Sequence, residues 1–325
     1  MIFFRLLKKH GRTLVVTLGT VLLCALLLRK IQLTELKNAL ARSNPLWVAL
    51  AALIATCLNL FGTLRMSTLL KALSHHLEPP SFWRQTWILF GAATAHNFLP
   101  APAGEIYRTA ALKQRGYSVS LLVAEQLVEK LVEALGLTLG TLAVVASGYL
   151  PLAVARVLTA VSLAGILLLI ALAAFGRRLK SVDHPVNRRQ QITKFVAHLS
   201  QVVQELRSPF LLGRALFWSI ATDVGNALSL GLCALAVGAN LPVAGWFVGM
   251  LAARSVGLIP TTPGQFGVQE AGVGAALVAL GLAPPMAAAV AILHHAVHFI
   301  PITLIGSIEL KRNFSPPVAD KPVDQ

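Results

Sequence analysis

Apolar positions gather into long blocks along this chain, and the lengths of the blocks decide what they build. Blocks at about Thr13 to Leu28, Leu46 to Leu70, Ser118 to Ser147, Leu152 to Phe175, Leu211 to Val237 and Met286 to Leu310 predict full transmembrane helices. Crossing a hydrocarbon core about 30 Å thick takes roughly 20 such residues. Two further apolar regions, Gln85 to Leu112 and Ala244 to Gly281, are interrupted in the middle. The first break carries Asn97, Pro100, Pro102, Gly104 and Glu105, and the second carries Pro260, Pro263, Gly264 and Gly267. Each half is about 15 residues, or roughly 22 Å of helix, too short to cross comfortably. Re-entrant helical hairpins fit better. Proline removes a backbone donor and glycine opens turns closed to other residues, so the breaks free polar backbone groups. At membrane depth such groups survive inside protein or beside a water-filled cavity.

Shifting the chain by 160 residues lays one break on the other: Phe98 on Leu258, Leu99 on Ile259, Pro100 on Pro260, Gly104 on Gly264 and Glu105 on Gln265. The first hairpin follows an inward-running span and the second an outward-running one, so the halves are inverted. Inverted repeats with broken helices are a recurring transporter architecture. The fold class expected is an all-α polytopic membrane protein, with about six full transmembrane helices plus two re-entrant helical hairpins related as inverted repeats. The membrane domain is expected over 1–312, with halves at about 46–147 and 211–310 and a basic cytoplasmic linker at about 176–210. The polar tail 313–325 is expected to be disordered. Within the linker, Ser181 to Arg207 reads equally as an amphipathic surface helix or as a solvated connection.

Charge adds a topology. With the N-terminus inside, the basic segments Arg108 to Arg115 and Arg177 to Arg207 and the pair Lys311-Arg312 are cytoplasmic, placing both termini there. Arg29 to Arg42, with four basic residues, falls outside on this layout and breaks the rule. The chain has 325 residues, 56% hydrophobic and 13% charged, a balance too poor in charge to cover a soluble globule. Its net charge of +15 lies in short runs at the ends of apolar blocks, which fits positive-inside signals and anionic lipid contact, not nucleic acid. Cys24, Cys57 and Cys233 sit inside apolar stretches without metal-ligand spacing. The N-terminal basic and apolar run lacks a small-residue cleavage site and reads as an uncleaved first span.

Ionisable residues inside the blocks supply the candidate chemistry. Glu125, Glu129 and Glu133 recur every four residues and form one helical stripe, with Lys130 beside it. Glu125 is placed nearer the interface. Glu129, Lys130 and Glu133 lie two to three turns in, where a central charge costs roughly 2.5 to 3.5 kcal/mol. Two readings stay open: an ion-paired cluster, Glu129 or Glu133 with Lys130 or Arg108, that pins helices together, or the lining of a head-group path or proton relay. His294, His295 and His298 lie on the last helix. Their spacing gives half of a zinc site without the glutamate of the protease motif, so no metal is expected. They read as buried and hydrogen-bonded, or as titrating or head-group-contacting groups. Arg254 precedes the second break and Glu270 follows it, while Glu105 and Arg108 follow the first. Hairpin tips meeting at mid-depth would suit a phosphate, with Arg254 or Arg108 as counter-charge.

At these residues the chain resembles the flippase-like membrane family named after the transmembrane region of lysylphosphatidylglycerol synthases, over about Ile31 to Leu310. The likeness rests on the break Asn97 to Arg108, the segment Glu129-Lys130-Leu131-Val132-Glu133, and Pro263 to Glu270 followed by a last helix with Pro301 and Gly306. The resemblance implies a bacterial inner-membrane protein that moves aminoacylated or other phospholipids, glycolipids, or isoprenoid-linked or hopanoid lipids between leaflets. Lys130 stands where the family pattern usually has arginine, Glu133 where it has aspartate, and His294 or His295 where arginine is frequent. The chain ends at Gln325, with no room for a soluble aminoacyl-transferase domain, so it is not expected to make lysylphosphatidylglycerol itself. The expected partners are lipids with anionic head groups and a separate lipid synthase; no cofactor is implied. Two rival readings are an accessory subunit of a lipid-modifying pathway and an intramembrane lipid-modifying enzyme using the glutamates and histidines as acid and base.

Overall fold

The computed structural model describes residues 33–73, 77–99, 102–146, 148, isolated positions between 156 and 167, 208–257 and 263–314. The expected spans at Thr13 to Leu28 and Leu152 to Phe175, the linker up to residue 207, the tail from 315, and Pro100 and Pro260 lie outside the described residues or are only touched by them. The described residues form nine α-helices, one 3-10 turn and no strand. They are α1 (Leu33–Ala41), α2 (Pro45–Leu73), α3 (Phe82–Phe98), α4 (Ala103–Lys113), α5 (Val119–Ala146), α6 (Pro209–Ala236), α7 (Val243–Gly257), α8 (Val268–Ala279) and α9 (Pro284–Phe314).

Local chemistry sets where these helices start. Ser208 Oγ accepts from the Leu211 amide at the head of α6, with Pro209 in the first turn, where its missing donor costs nothing. Ser81 caps α3 in the same way through the Arg84 amide. Among the described residues, α2, α6 and α9 are long and apolar enough to cross a membrane, with mean hydropathies of 1.9, 1.3 and 1.8 in their most apolar stretches. At 28 residues α5 matches them in length, but Glu125, Glu129, Lys130 and Glu133 load its first half with charge. This is an all-helical membrane protein.

The 160-residue shift holds for whole elements. It lays α2 on α6, α3 on α7, α4 on α8 and α5 on α9, with lengths of 29, 17, 11 and 28 residues against 28, 15, 12 and 31. The central pair, α2 and α6, runs antiparallel. At one end the Asn44 amide donates to the Ala236 carbonyl at 2.8 Å, further along Ser229 Oγ donates to the Ala51 carbonyl, and at the other end Arg65 reaches Ser219. Each shorter pair folds back on itself. Tyr107 of α4 lies against Gly91 of α3, and Gly104 approaches the Ala92 carbonyl so closely that a Cβ would sit 2.7 Å from it. In the second pair, Leu280 at the end of α8 packs beside Gly245 at the start of α7.

The tips of the two hairpins meet. Gly264 in the 3-10 turn lies against the Asn97 carbonyl at the end of α3, with φ at +64°, a conformation that disfavours any side chain. Gln265 follows at φ +57° and Gly267 at +81°, so the chain turns sharply before α8 begins. The segment Arg29 to Arg42, which the charge rule could not place, includes α1. This short helix buries Leu36 against a cluster that includes Ala287, Val290 and Val297 of α9.

Candidate functional site

Around the meeting point of the tips lies a cavity of about 440 Å³. It is lined from both repeats: α2 and α6 form one wall, the hairpin tips another, and α5 and α9 the flanks. Of the residues singled out in the sequence, Asn97, Gly104, Glu105, Arg108, Glu129, Lys130, Glu133, Arg254, Gly264, His295 and His298 all line it. His294, Gly267, Glu270, Pro102 and Pro263 do not. Pro102 and Pro263 shape the breaks: Pro102 immediately precedes α4, and Pro263 opens the 3-10 turn.

An ion-pair network stands behind the α5 face. Arg65 of α2 gives Nε and Nη2 to Glu129 Oε1, Nη2 also to Glu133 at 2.5 Å, and Nη1 to Ser219 Oγ of α6 at 3.1 Å. Arg108 of α4 bonds both oxygens of Glu125 at 2.6 Å and donates to Glu129 Oε2. Glu129 is thus held between two guanidiniums, a charge-assisted and near-saturated arrangement. Glu125, which the sequence placed nearer the interface, is fully buried against Arg108. Lys130 reaches Glu133 at 3.1 Å, and Arg254 of α7 approaches Asp223 at 3.4 Å and Glu133 at 3.9 Å. Four cations (Arg65, Arg108, Lys130, Arg254) therefore face four carboxylates (Glu125, Glu129, Glu133, Asp223).

The members differ in what a ligand can touch. Arg65 and Arg108 are buried and engaged, so Arg108 is not the open counter-charge that its place after the first break suggested. The Lys130 side chain is 55% exposed and that of Arg254 30%, while their carboxylate partners are mostly shielded. These two cations offer N–H groups to the cavity. Lone charges at this depth would be prohibitively costly, and pairing is what lets them persist.

The histidines sit on the opposite flank. His295 Nδ1 lies 2.6 Å from Glu270 Oε1, and Glu270 Oε2 accepts from the Gly267 amide at 2.7 Å, so this pair braces the start of α8 just past the second break. His294 and His298 pack edge to face, with ring centroids 4.5 Å apart. Both ring nitrogens of His294 and Nε2 of His298 are buried without a hydrogen-bond partner among the described residues. Of the two readings left open, His295 fits a buried, bonded histidine, while His298 both lines the cavity and keeps an unbonded nitrogen.

Several residues of the site escaped the sequence reading. Arg65, which lines the cavity, is the one charge in its apolar block and Asp223, in the ion-pair network, is the one acid in its own, and a mid-block charge was a signal in its own right. Asn59, Gln126 and Asn226 are ordinary polar residues in helices, and only the packing of α2, α5 and α6 shows that they converge. No curated protein matches the chain. The family model described as Lysylphosphatidylglycerol synthase TM region matches residues 12–306. With its paired helical hairpins, its buried ion-pair network and a match over nearly its whole length, the chain belongs to the lysylphosphatidylglycerol synthase transmembrane-region family.

Proposed function

We propose that this protein is a lipid translocator of the bacterial inner membrane. It would carry a phospholipid or a related lipid with an anionic head group between leaflets without changing its covalent structure, with both termini cytoplasmic. One observation carries the reading: a polar cavity sits where the tips of two inverted hairpins meet, between apolar helices, and it presents Lys130 and Arg254 as accessible cations. A head group in such a cavity exchanges water for fixed donors, while its acyl chains remain beside apolar helix faces.

The two repeats supply the movement. The contact of α3 with α9 is stitched by Thr94 Oγ1 to the Ile302 carbonyl, Asn97 Nδ2 to Thr303 Oγ1 at 2.8 Å, and Arg84 to Glu309 at 2.6 Å. Under the 160-residue relation its counterpart is the contact of α7 with α5. There, an apolar cluster of Val144 with Val248 and Leu251 is joined by the 3.9 Å approach of Arg254 to Glu133. Among the described residues, the first side is sealed by several short polar bonds and the second is bridged by that longer ion pair. Exchanging the two arrangements would expose the same cavity to the opposite leaflet, with the hairpins acting as re-entrant gates.

The test is leaflet exchange of fluorescent phospholipids in liposomes holding purified protein, with wild type set beside Arg254→Ala and Glu129→Gln. Exchange in wild type that falls by about ten-fold or more in Arg254→Ala, a loss equivalent to about 1.4 kcal/mol, supports the reading. Folded wild-type protein that exchanges no lipid across a head-group panel refutes it.

A further inference from the structure

The four carboxylates of the ion-pair network are not equally satisfied. Glu125 is bonded by Arg108, Glu129 by Arg65 and Arg108, and Glu133 by Arg65 at 2.5 Å and Lys130 at 3.1 Å. Asp223 of α6 is the exception. It is 5% exposed, and both of its carboxylate oxygens are buried without a hydrogen-bond partner among the described residues. Oδ2 faces the bare backbone of Gly136 on α5, where an added Cβ would stand 3.4 Å from it. Among the described residues the one cation within 4 Å is Arg254, whose Nε stands 3.4 Å from Oδ1. A buried carboxylate with no bonded donor is costly as an anion, and here a single loosely placed cation supports the charge.

The charges around Asp223 come from three neighbouring helices: Arg65 of α2, Glu133 of α5 with Lys130 beside it, and Arg254 of α7. Helix α9 also packs on α6 but brings no titratable group into interaction with Asp223, and Arg214, on α6 itself, is exposed further toward its start. Arg65 is committed to Glu129, Glu133 and Ser219, and Lys130 to Glu133. Arg254 is the loosely held member, 30% exposed on the cavity wall at 3.4 Å from one carboxylate and 3.9 Å from another. Its departure toward a ligand would leave Glu133 with two cations and Asp223 with none close by. Thr222 and Asn226, which flank Asp223 along α6, line the cavity, so a polar route leads from the cavity to the carboxylate.

We propose that Asp223 is a proton-binding site coupled to the ligand: an anionic head group that engages Arg254 enters together with a proton, which Asp223 holds. Arg254 switches between two partners, Asp223 in the empty site and the anion in the loaded one. A carboxylate that loses its counter-charge and gains a negative neighbour in apolar surroundings takes a proton. Anion and proton then arrive as a neutral pair, so the loaded cavity carries the same net charge as the empty one. For a carrier that equality matters, because moving an uncompensated charge through hydrocarbon is penalised. The coupling is reciprocal by linkage: the head group favours the proton, and the proton favours the head group. This inference rests on the translocator reading for its ligand being an anionic lipid, and the proton site is also tested without any lipid.

The first measurement is calorimetric titration of the full chain in detergent with dihexanoylphosphatidylglycerol at neutral pH. Two buffers of different ionisation enthalpy are used, because the difference in observed heat counts the protons taken up. Wild type is expected to take up roughly half to one proton per lipid bound, with affinity weakening by up to about ten-fold per pH unit above neutrality. Asp223→Asn keeps the shape of the protonated acid, and it is expected to bind with the uptake lost and the pH profile flattened. The second measurement is the infrared carboxylic-acid band of the lipid-free chain at neutral pH, in Arg254→Gln and in the double variant that adds Asp223→Asn. Removing the one close cation should leave Asp223 protonated, so the single variant shows a band that the double variant lacks. Identical spectra in the two variants, wild-type binding without proton uptake, or an uptake that persists in Asp223→Asn overturns the proposal. The expected band in a chain that binds no lipid of any head group would uphold the proton site and refute lipid carriage.

Discussion

Glu129 shows how a charge survives inside this protein. It accepts from Arg65 on one oxygen and from Arg108 on the other, so helices α2, α4 and α5 are tied through a single carboxylate. Removing one partner of a buried pair leaves the other charge uncompensated, at a cost of about 3–5 kcal/mol. Arg65→Ala should therefore lower the thermal unfolding midpoint in detergent far more than Lys130→Ala. Lys130 is largely exposed, and its pair with Glu133 is worth about 1 kcal/mol or less. Equal midpoint shifts in the two variants would contradict this ranking. The glutamate stripe and its neighbours Lys130 and Arg108 were legible in the sequence because four-residue spacing fixes a helix face whatever packs against it. Arg65 was equally visible as an isolated charge and Asp223 as the one acid of its block, yet nothing in the sequence said that their helices face the stripe. That is a property of tertiary packing.

Among the elements, the hairpins were the most legible. Proline and glycine mark where a helix cannot continue, and both pairs turn at the breaks those residues announced. The 160-residue shift, first suggested by a handful of residues at the breaks, holds for four helices in each half. Helix α1 was not anticipated. Its nine residues are too few to show a reliable period, and Leu36 finds its burial only against α9. The seal between α3 and α9 was also invisible beforehand, although Gly306 belonged to the family likeness. In the structure Gly306 is pressed against the Phe90 carbonyl and Thr94, leaving no room for a Cβ. Gly306→Val should force these helices apart and destabilise the fold by about 1–3 kcal/mol, read as a lowered denaturation midpoint. Gly140, whose Cβ would meet nothing within 4 Å, supplies the comparison: Gly140→Ala should leave the midpoint unchanged or raised. A Gly306→Val protein as stable as wild type would mean that the α3–α9 contact is not the close seal described.

For the whole molecule, the account joins two observations that neither repeat carries alone. The central helices α2 and α6 run antiparallel, and the cavity lies where the inverted halves meet, sealed along α3–α9 and weakly bridged along α5–α7. Such an asymmetry within a near-symmetric frame is what an alternating carrier shows when it rests in one of two states. The direct measurement is the accessibility of the cavity from each side of the membrane. Ala93 lines it from α3 and carries no chemistry. With Cys24, Cys57 and Cys233 replaced, a single Ala93→Cys thiol would be exposed to a membrane-impermeant reagent, in right-side-out and in inverted vesicles. The account predicts labelling from both faces, each slowed by the carried lipid. Labelling from one face only, under every condition of lipid and time, would contradict it.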